Sequence, residues 1–346
     1  MKDFYKNLDN LDILVPETKE IFIRRYQLLK LIEAYGPIGR RNLSSKSNSS
    51  ERQVRNDADF LKDKGILNYL SEGMVISDKG IDLLEILEKF ESHYYGFSHL
   101  KKVILEELGI KDIVIVDSNN HDFSATLNYM GLEGAKLLSR SLQPGDVIGL
   151  TGGTSIQSLV NGYTNKCRKN KDAIVVPARG GLGQSTKYQA NTLVENLAKK
   201  LDAQYMYLYT PDFLSSESIK YLKEEPNIKK TIEIIEKINF LVFGIGKADV
   251  MAERRDLSDK QYNEIMSASA VSEAFGCYFN KKGEIVHEIS TIGISLQQFK
   301  KLERLIAIAG GKDKAEAIVS ISKINKNLVL VTDFECAKEI TKIIRR

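Results

Sequence analysis

Cysteine and histidine are scarce in this chain. Three cysteines, Cys167, Cys277 and Cys336, stand far apart and outside any CxxC spacing. That pattern excludes a disulfide framework and a zinc ribbon, and points to reduced thiols in a cytoplasmic protein. The four histidines, His93, His99, His121 and His287, form no ligand-spaced pair, so no metal site is expected. No uninterrupted apolar run approaches the roughly 20 residues a membrane span needs, and Met1-Lys-Asp-Phe-Tyr-Lys carries no apolar signal region. The expectation is a soluble chain with no membrane partner. A formal net charge of +4 on 346 residues is too mild to diagnose nucleic-acid binding by itself.

What is present is an ordinary globular composition and enough length for more than one domain. The most informative stretch is Asp146-Val-Ile-Gly-Leu-Thr151-Gly-Gly-Thr-Ser155. A short β-branched run breaks into glycines, and apolar residues at helical spacing (Ile156, Leu159, Val160) follow, so it reads strand, tight turn, helix. The turn offers backbone N–H groups, hydroxyls and the positive end of a helix dipole, which together suit a phosphate. No Lys follows the glycines as in a nucleotide P-loop, and the G-x-G-x-x-G dinucleotide fingerprint is absent there. A second strand and turn, Ile174-Val-Val-Pro-Ala-Arg179-Gly-Gly-Leu-Gly183, adds a guanidinium. Two such turns after parallel strands converge on one crevice.

The N-terminal part has a different pattern. Residues 1–20 are weakly patterned and read as a lead-in. An apolar helical face then runs over residues 21–35 and ends at Gly36-Pro37. A short helix around residues 40–46 and a polar break follow, with Ser49 or Ser50 as N-cap of a third helix over residues 51–64. Val54, Ala58 and Leu61 share one face of that helix, so Arg52, Gln53, Arg55 and Asn56 project elsewhere. Residues 66–70 and 74–77 read as a hairpin. Helix, short helix, helix and hairpin make a winged helix-turn-helix, whose third helix enters the major groove of operator DNA. Arg52, Gln53, Arg55 and Asn56 are side chains able to bond base edges, with Ser50 at the helix start and Arg40, Arg41 and Lys46 as phosphate contacts. Acidic Asp57, Asp59 and Asp63 dilute the positive face.

Residues 81–90 and 94–108 are helical in pattern and serve either as a dimerising linker or as a helix docked on the next domain. From residue 113 onward, strand candidates (113–116, 147–150, 174–177, 205–209, 240–243, 285–286, 306–309, 328–331) alternate with helical patterns (126–141, 155–163, 187–200, 230–237, 262–268, 314–320). This is an α/β, mostly parallel, doubly wound domain. The boundary falls near residues 88–98, giving domains 1–90 and 91–346. Several charged residues adjoin small-residue turns after strands: Arg254 and Arg255 shortly after Phe243-Gly-Ile-Gly246-Lys, Glu273 in Ala270-Val-Ser-Glu-Ala-Phe-Gly276, and Lys314. Basic groups at successive strand ends suit a multiply charged small anion.

Thr151-Gly-Gly-Thr154, Pro177-Ala-Arg-Gly-Gly-Leu-Gly183, Gln189-Ala-Asn-Thr192, Gly244-Ile-Gly246, Met251-Ala-Glu-Arg-Arg255, Glu273-Ala-Phe-Gly276, Tyr278-Phe and Ala309-Gly-Gly-Lys-Asp-Lys-Ala-Glu-Ala-Ile318 recur in a known group. On these motifs nearly the whole chain resembles the SorC/DeoR-type transcription factors with a sugar-binding domain. The resemblance implies a repressor of a glycolytic operon and an effector domain similar in fold to sugar-phosphate isomerases and deaminases. It implies fructose-1,6-bisphosphate or a related sugar phosphate as inducer, with no other cofactor. It also implies site roles. Thr151, Gly152, Gly153, Thr154 and Ser155 hold one phosphate. Arg179, Gly180, Gly181, Gln189, Arg254 and Lys314 complete the contacts, with Glu273 toward sugar hydroxyls. Ser155 stands where a second Thr is expected, and keeps the hydroxyl. A homo-oligomer, dimer or tetramer, fits a repressor. The rival is an isomerase or deaminase on the same scaffold, but such chemistry needs a positioned base. The candidate turns contain no His, and nothing fixes Asp249 and Glu273 as a pair.

Overall fold

A computed structural model describes residues 15–47, 49–94, 97–118, 123–181, 185–211, 215–255 and 257–345. Most of the lead-in therefore lies outside the described residues, as do His121, Leu182 and Gly183. The chain forms two compact units, one up to Leu100 and one from Lys101 on.

The first unit opens with α1 (Pro16–Tyr35), which begins earlier than its apolar face because Pro suits the first helical turn. Helices α2 (Arg40–Ser47) and α3 (Glu51–Asp63) follow, then a hairpin of β1 (Leu67–Leu70) and β2 (Gly73–Ile76), then α4 (Asp78–Tyr94). Leu28, Leu29 and Ile32 of α1 are buried, as are Leu43 of α2 and Val54, Ala58 and Leu61 of α3. Reciprocal Ile38–Met74 backbone bonds, 3.0 and 2.9 Å, tie the α1–α2 turn to the hairpin. Gly73 is required there: its φ is +144° and a Cβ would lie 2.7 Å from Ile38 backbone.

After α5 (Phe97–Leu108), the second unit carries β3 (Asp112–Val116), β4 (Val147–Leu150), β5 (Ile174–Pro177), β6 (Gln204–Tyr205), β7 (Phe240–Gly244), β12 (Leu305–Ile308) and β13 (Leu328–Asp333) in one sheet. Its order is β3-β13-β12-β7-β4-β5-β6, and every pairing is parallel. All four residues of β4 and of β12 are buried, the signature of parallel strands covered on both faces. Connecting helices include α6 (Phe123–Ser141), α7 (Thr154–Gly162), α8 (Ala190–Leu201), α9 (Ser216–Glu224) and α10 (Pro226–Ile235). A Cβ on Gly131 of α6 would overlap the Ser158 carbonyl of α7, so hydrogen at that position sets the approach of the two helices. At the strand starts, Arg304 clasps buried Asp146 through Nη1–Oδ1 and Nη2–Oδ2 bonds of 2.6 and 2.9 Å.

A second, antiparallel sheet departs from the sequence reading. Its strands are β8 (Gly246–Lys247), β9 (Ala270–Ala274), β10 (Cys277–Asn280) and β11 (Ile285–Glu288), in the order β11-β10-β9-β8. Residues 285–286 belong here and not to the parallel sheet, and the stretch read as a turn around Glu273 is strand β9. Helices α11 (Ala248–Arg254) and α12 (Asp259–Ser267) pack on it through Ala248, Ala252, Ile265 and Tyr278. The remaining helices are α13 (Leu296–Lys301), α14 (Ala315–Ser322) and α15 (Phe334–Ile344). No helix among the described residues is long and apolar enough to cross a membrane.

Candidate functional site

From β4 the chain winds outward through β5 and β6, then returns to the other side of β4 with β7 and continues to β12 and β13. The winding reverses between β4 and β7. In open parallel sheets such a reversal is where the loops leaving neighbouring strands diverge and ligands bind beyond the carboxyl ends. Thr151 sits at that point: its N–H donates to the Val242 carbonyl at 3.2 Å, and its Oγ1 accepts from the Gly244 N–H at 3.2 Å.

Gly153, at φ +115°, is the N-cap of α7 and, being glycine, brings no side-chain cap. The Gly153 N–H itself donates to the Tyr188 carbonyl at 2.9 Å. The amides of this turn left without an intrahelical acceptor are therefore the first helical ones, at Thr154, Ser155 and Ile156. Thr154 is exposed and Ser155 buried. Gly152 lets the turn close on its neighbour, since a Cβ would lie 2.7 Å from the Tyr188 carbonyl oxygen.

The second glycine turn packs more tightly than its sequence suggests. Gly180 N donates to the Ile292 carbonyl at 3.2 Å and Gly181 N to the Thr210 carbonyl at 2.9 Å. These two amides thus build the turn. Gln189 lies beside it, with Oε1 3.0 Å from where a Gly181 Cβ would be. Arg179 and Glu273, assigned separate roles from sequence, are brought together: Arg179 Nη1 donates to Glu273 Oε1 at 3.0 Å. The same oxygen lies 2.9 Å from Arg255 Nη2 and accepts from the Gly276 N–H at 2.9 Å. Glu273, expected toward sugar hydroxyls, is thus a buried ion-pair partner. Burial alone would raise its carboxyl, but Arg255, Arg179 and the Gly276 amide together hold it below the ordinary carboxylate range.

Arg255, named beside Arg254 in the sequence, has no site role assigned there. A signal existed: Ala248, Met251 and Ala252 are buried, and Arg255 continues their i, i+3, i+4, i+7 stripe. Arg254, the neighbour that was chosen, is exposed. It does approach Lys314, whose ammonium is pushed below its ordinary value by burial and by the Arg254 charge, against Asp313. Lys314 follows Gly311, whose N–H donates to Asp333 Oδ2 at 2.5 Å; Asp333 Oδ1 in turn caps α15 through the Cys336 N–H at 3.1 Å. Lys247, at the β7 side, lies 3.4 Å from Asp249 and 3.9 Å from Asp313. The loops after β7 and β12 are thereby linked. No cluster among the described residues could hold a metal ion.

In the first unit, Arg40, Arg41, Arg52, Arg55 and Asn56 are exposed. Ser50 and Gln53 are exposed too but bond each other in a capping box: Ser50 Oγ accepts from Gln53 N at 3.2 Å and Gln53 Oε1 from Ser50 N at 3.0 Å. Their first role is to start α3. Lys46 stacks 4.0 Å from the Tyr35 ring centroid, and burial lowers its ammonium. Asp57 does not dilute the positive surface. It is buried, accepting from Arg24 Nε at 2.5 Å and Arg25 Nε at 2.9 Å.

Residues 92–342 match the family model of a sugar-binding domain, and residues 21–90 match that of the CggR N-terminal DNA binding domain. The chain is 35% identical to the central glycolytic genes regulator of Bacillus subtilis, over 95% of its own length and 96% of that protein. It is 34% identical to the central glycolytic genes regulator of Priestia megaterium, over 95% and 96% of the two chains. Among solved structures, the full-length sorbitol operon regulator SorC from Klebsiella pneumoniae shares the fold, with a TM-score of 0.68 and 20% identity, covering 88% of this chain and 94% of that one.

Proposed function

The chain belongs to the SorC/DeoR-type transcriptional regulators that join a DNA-binding domain to a sugar-binding domain, and from that premise we propose that it represses a glycolytic operon and releases its operator when a phosphorylated sugar binds. It is a regulator and not an enzyme, as its relatives are. Fructose-1,6-bisphosphate is the effector that the kinship with glycolytic regulators favours.

The observation that carries this reading is the reversal of winding between β4 and β7, with Arg179 on the turn after β5, Lys314 after β12 and Arg254 at the end of α11. One phosphate takes the amides of Thr154, Ser155 and Ile156 and the nearby hydroxyls. The other takes Lys314 and Arg254, with Arg179 and Gln189 between them. An anion is favoured at the α7 terminus by its dipole and at the Lys and Arg side chains by charge-assisted bonds. Arg40, Arg41 and Lys46 serve DNA phosphates, and Arg52, Arg55, Asn56 and Gln53 face the major groove from α3. Repression is exerted by a homo-oligomer, a dimer or tetramer, whose operator contacts weaken when the effector selects another arrangement.

The test is a gel shift of the full chain on DNA upstream of its own operon, with and without fructose-1,6-bisphosphate. Binding that loosens with the sugar supports both halves of the proposal. Binding indifferent to it leaves the DNA role and rejects the effector; absence of binding rejects the operator.

A further inference from the structure

We infer that Arg255 is a positioning residue for the anionic effector: by holding Glu273, it allows Arg179 to turn to the phosphate. This rests on the reading that a sugar phosphate occupies the crevice. Glu273 Oε1 has three neighbours, Arg179 Nη1 at 3.0 Å, Arg255 Nη2 at 2.9 Å and the Gly276 N–H at 2.9 Å. The side chains differ in reach: Arg255 is 0% exposed and Glu273 2%, while Arg179 keeps 9% of its side chain at the surface. Arg179 is the member of the cluster that an incoming anion meets.

With Arg179 as the sole partner of Glu273, an arriving phosphate would face two obstacles. Drawing the guanidinium outward would strand a buried carboxylate, which is strongly unfavourable. The stranded carboxylate would also repel the phosphate. Arg255 removes both, because Glu273 keeps a guanidinium and a backbone donor when Arg179 leaves. Arg255 cannot follow the phosphate itself. It ends the buried stripe of α11, and its Nη1 donates to the Tyr278 hydroxyl of β10 at 3.2 Å. The cluster also spans two sheets: Arg179 follows β5 of the parallel sheet, whereas Glu273 and Tyr278 belong to the antiparallel one. Effector capture of Arg179 thus loosens one tie between the sheets while the Arg255–Glu273 tie persists.

The experiment is calorimetric titration of fructose-1,6-bisphosphate into the full chain as wild type, Arg255→Met, Glu273→Gln and the double variant, with thermal melts to confirm folding. Arg255→Met is expected to weaken binding about tenfold or more, and Glu273→Gln in that background to restore it, because no buried carboxylate remains to hold Arg179. A loss of packing at position 255 would not be rescued this way. If Arg255→Met does not fold, the comparison passes to Glu273→Gln against the double variant, which should bind alike because Arg255 acts only through Glu273. Wild-type affinity in Arg255→Met, or a double variant that binds much more weakly than Glu273→Gln, overturns the inference. A wild-type chain that binds no sugar phosphate overturns the effector reading itself, and the inference falls with it.

Discussion

In the proposed effector site Arg179 and Lys314 bring different chemistry. The guanidinium is charged at any physiological pH and forks toward a phosphate. The ammonium of Lys314 is depressed by burial, so an arriving anion firms up its charge as well as bonding to it. Each charge-assisted contact contributes about 1.5–3 kcal/mol. Arg179→Ala and Lys314→Ala should therefore each weaken effector binding by about tenfold or more. Operator binding without sugar should persist; full induction in both variants would reject the assignment. Asp57 offers a second test. Burial opposes its ionisation, yet the bonds from Arg24 and Arg25 win and lower its carboxyl. Its contribution is therefore complete above the unfolded value of about 4 and is lost as pH falls through the folded one. Asp57→Asn should destabilise the first unit by about 1–3 kcal/mol at neutral pH and flatten its stability below pH about 4, read by urea unfolding. The buried pairings of Asp57 and Arg255 were not legible in the sequence, for one reason. Each falls on the apolar stripe of its helix, where charge is taken as surface until its partner is seen.

At the scale of the element, α3 depends on its start. Ser50 and Gln53 satisfy each other's backbone donors, and removing the hydroxyl should cost about 1 kcal/mol. Ser50→Ala is thus expected to lower the melting temperature of the first unit and to fray the turn that presents Arg52 and Gln53. Footprinting should then show weaker operator protection even though the groups facing the bases are intact. The helices of both units and the parallel strands of the second were largely legible, because their apolar periods are long and their breaks fall on Gly and Pro. The antiparallel sheet was not. Strand β8 has two residues, and β9 buries polar Ser272 and Glu273, one on each face, where buried strand positions are normally apolar. Its polar buried residues gave Ala270–Gly276 the look of a turn, though only the Phe275-Gly276 end is one. The strand, turn and helix around Thr151–Ser155 were legible, whereas the use of Gly180 and Gly181 amides inside the fold depended on residues 210 and 292, far away in sequence.

At the scale of the molecule, effector and operator engage different units of one chain. A sugar phosphate that binds only the folded second unit at about a hundredfold excess over its Kd adds about 2.7 kcal/mol to that unit's stability. Calorimetry should show the corresponding transition moving upward with fructose-1,6-bisphosphate and staying put with glucose, which carries no phosphate. A shift with glucose as large as with the bisphosphate would show that charge is not what the crevice selects. The reversal of winding between β4 and β7 carries a further consequence, for how such a protein can change over evolutionary time. Residues 240–243 of β7 and all of β4 are sealed in the core, while the groups proposed to face the effector stand on the loops beyond. Substitutions in those loops can exchange one ligand for another without disturbing the sheet, so the scaffold can be inherited intact while the metabolite it reports is replaced.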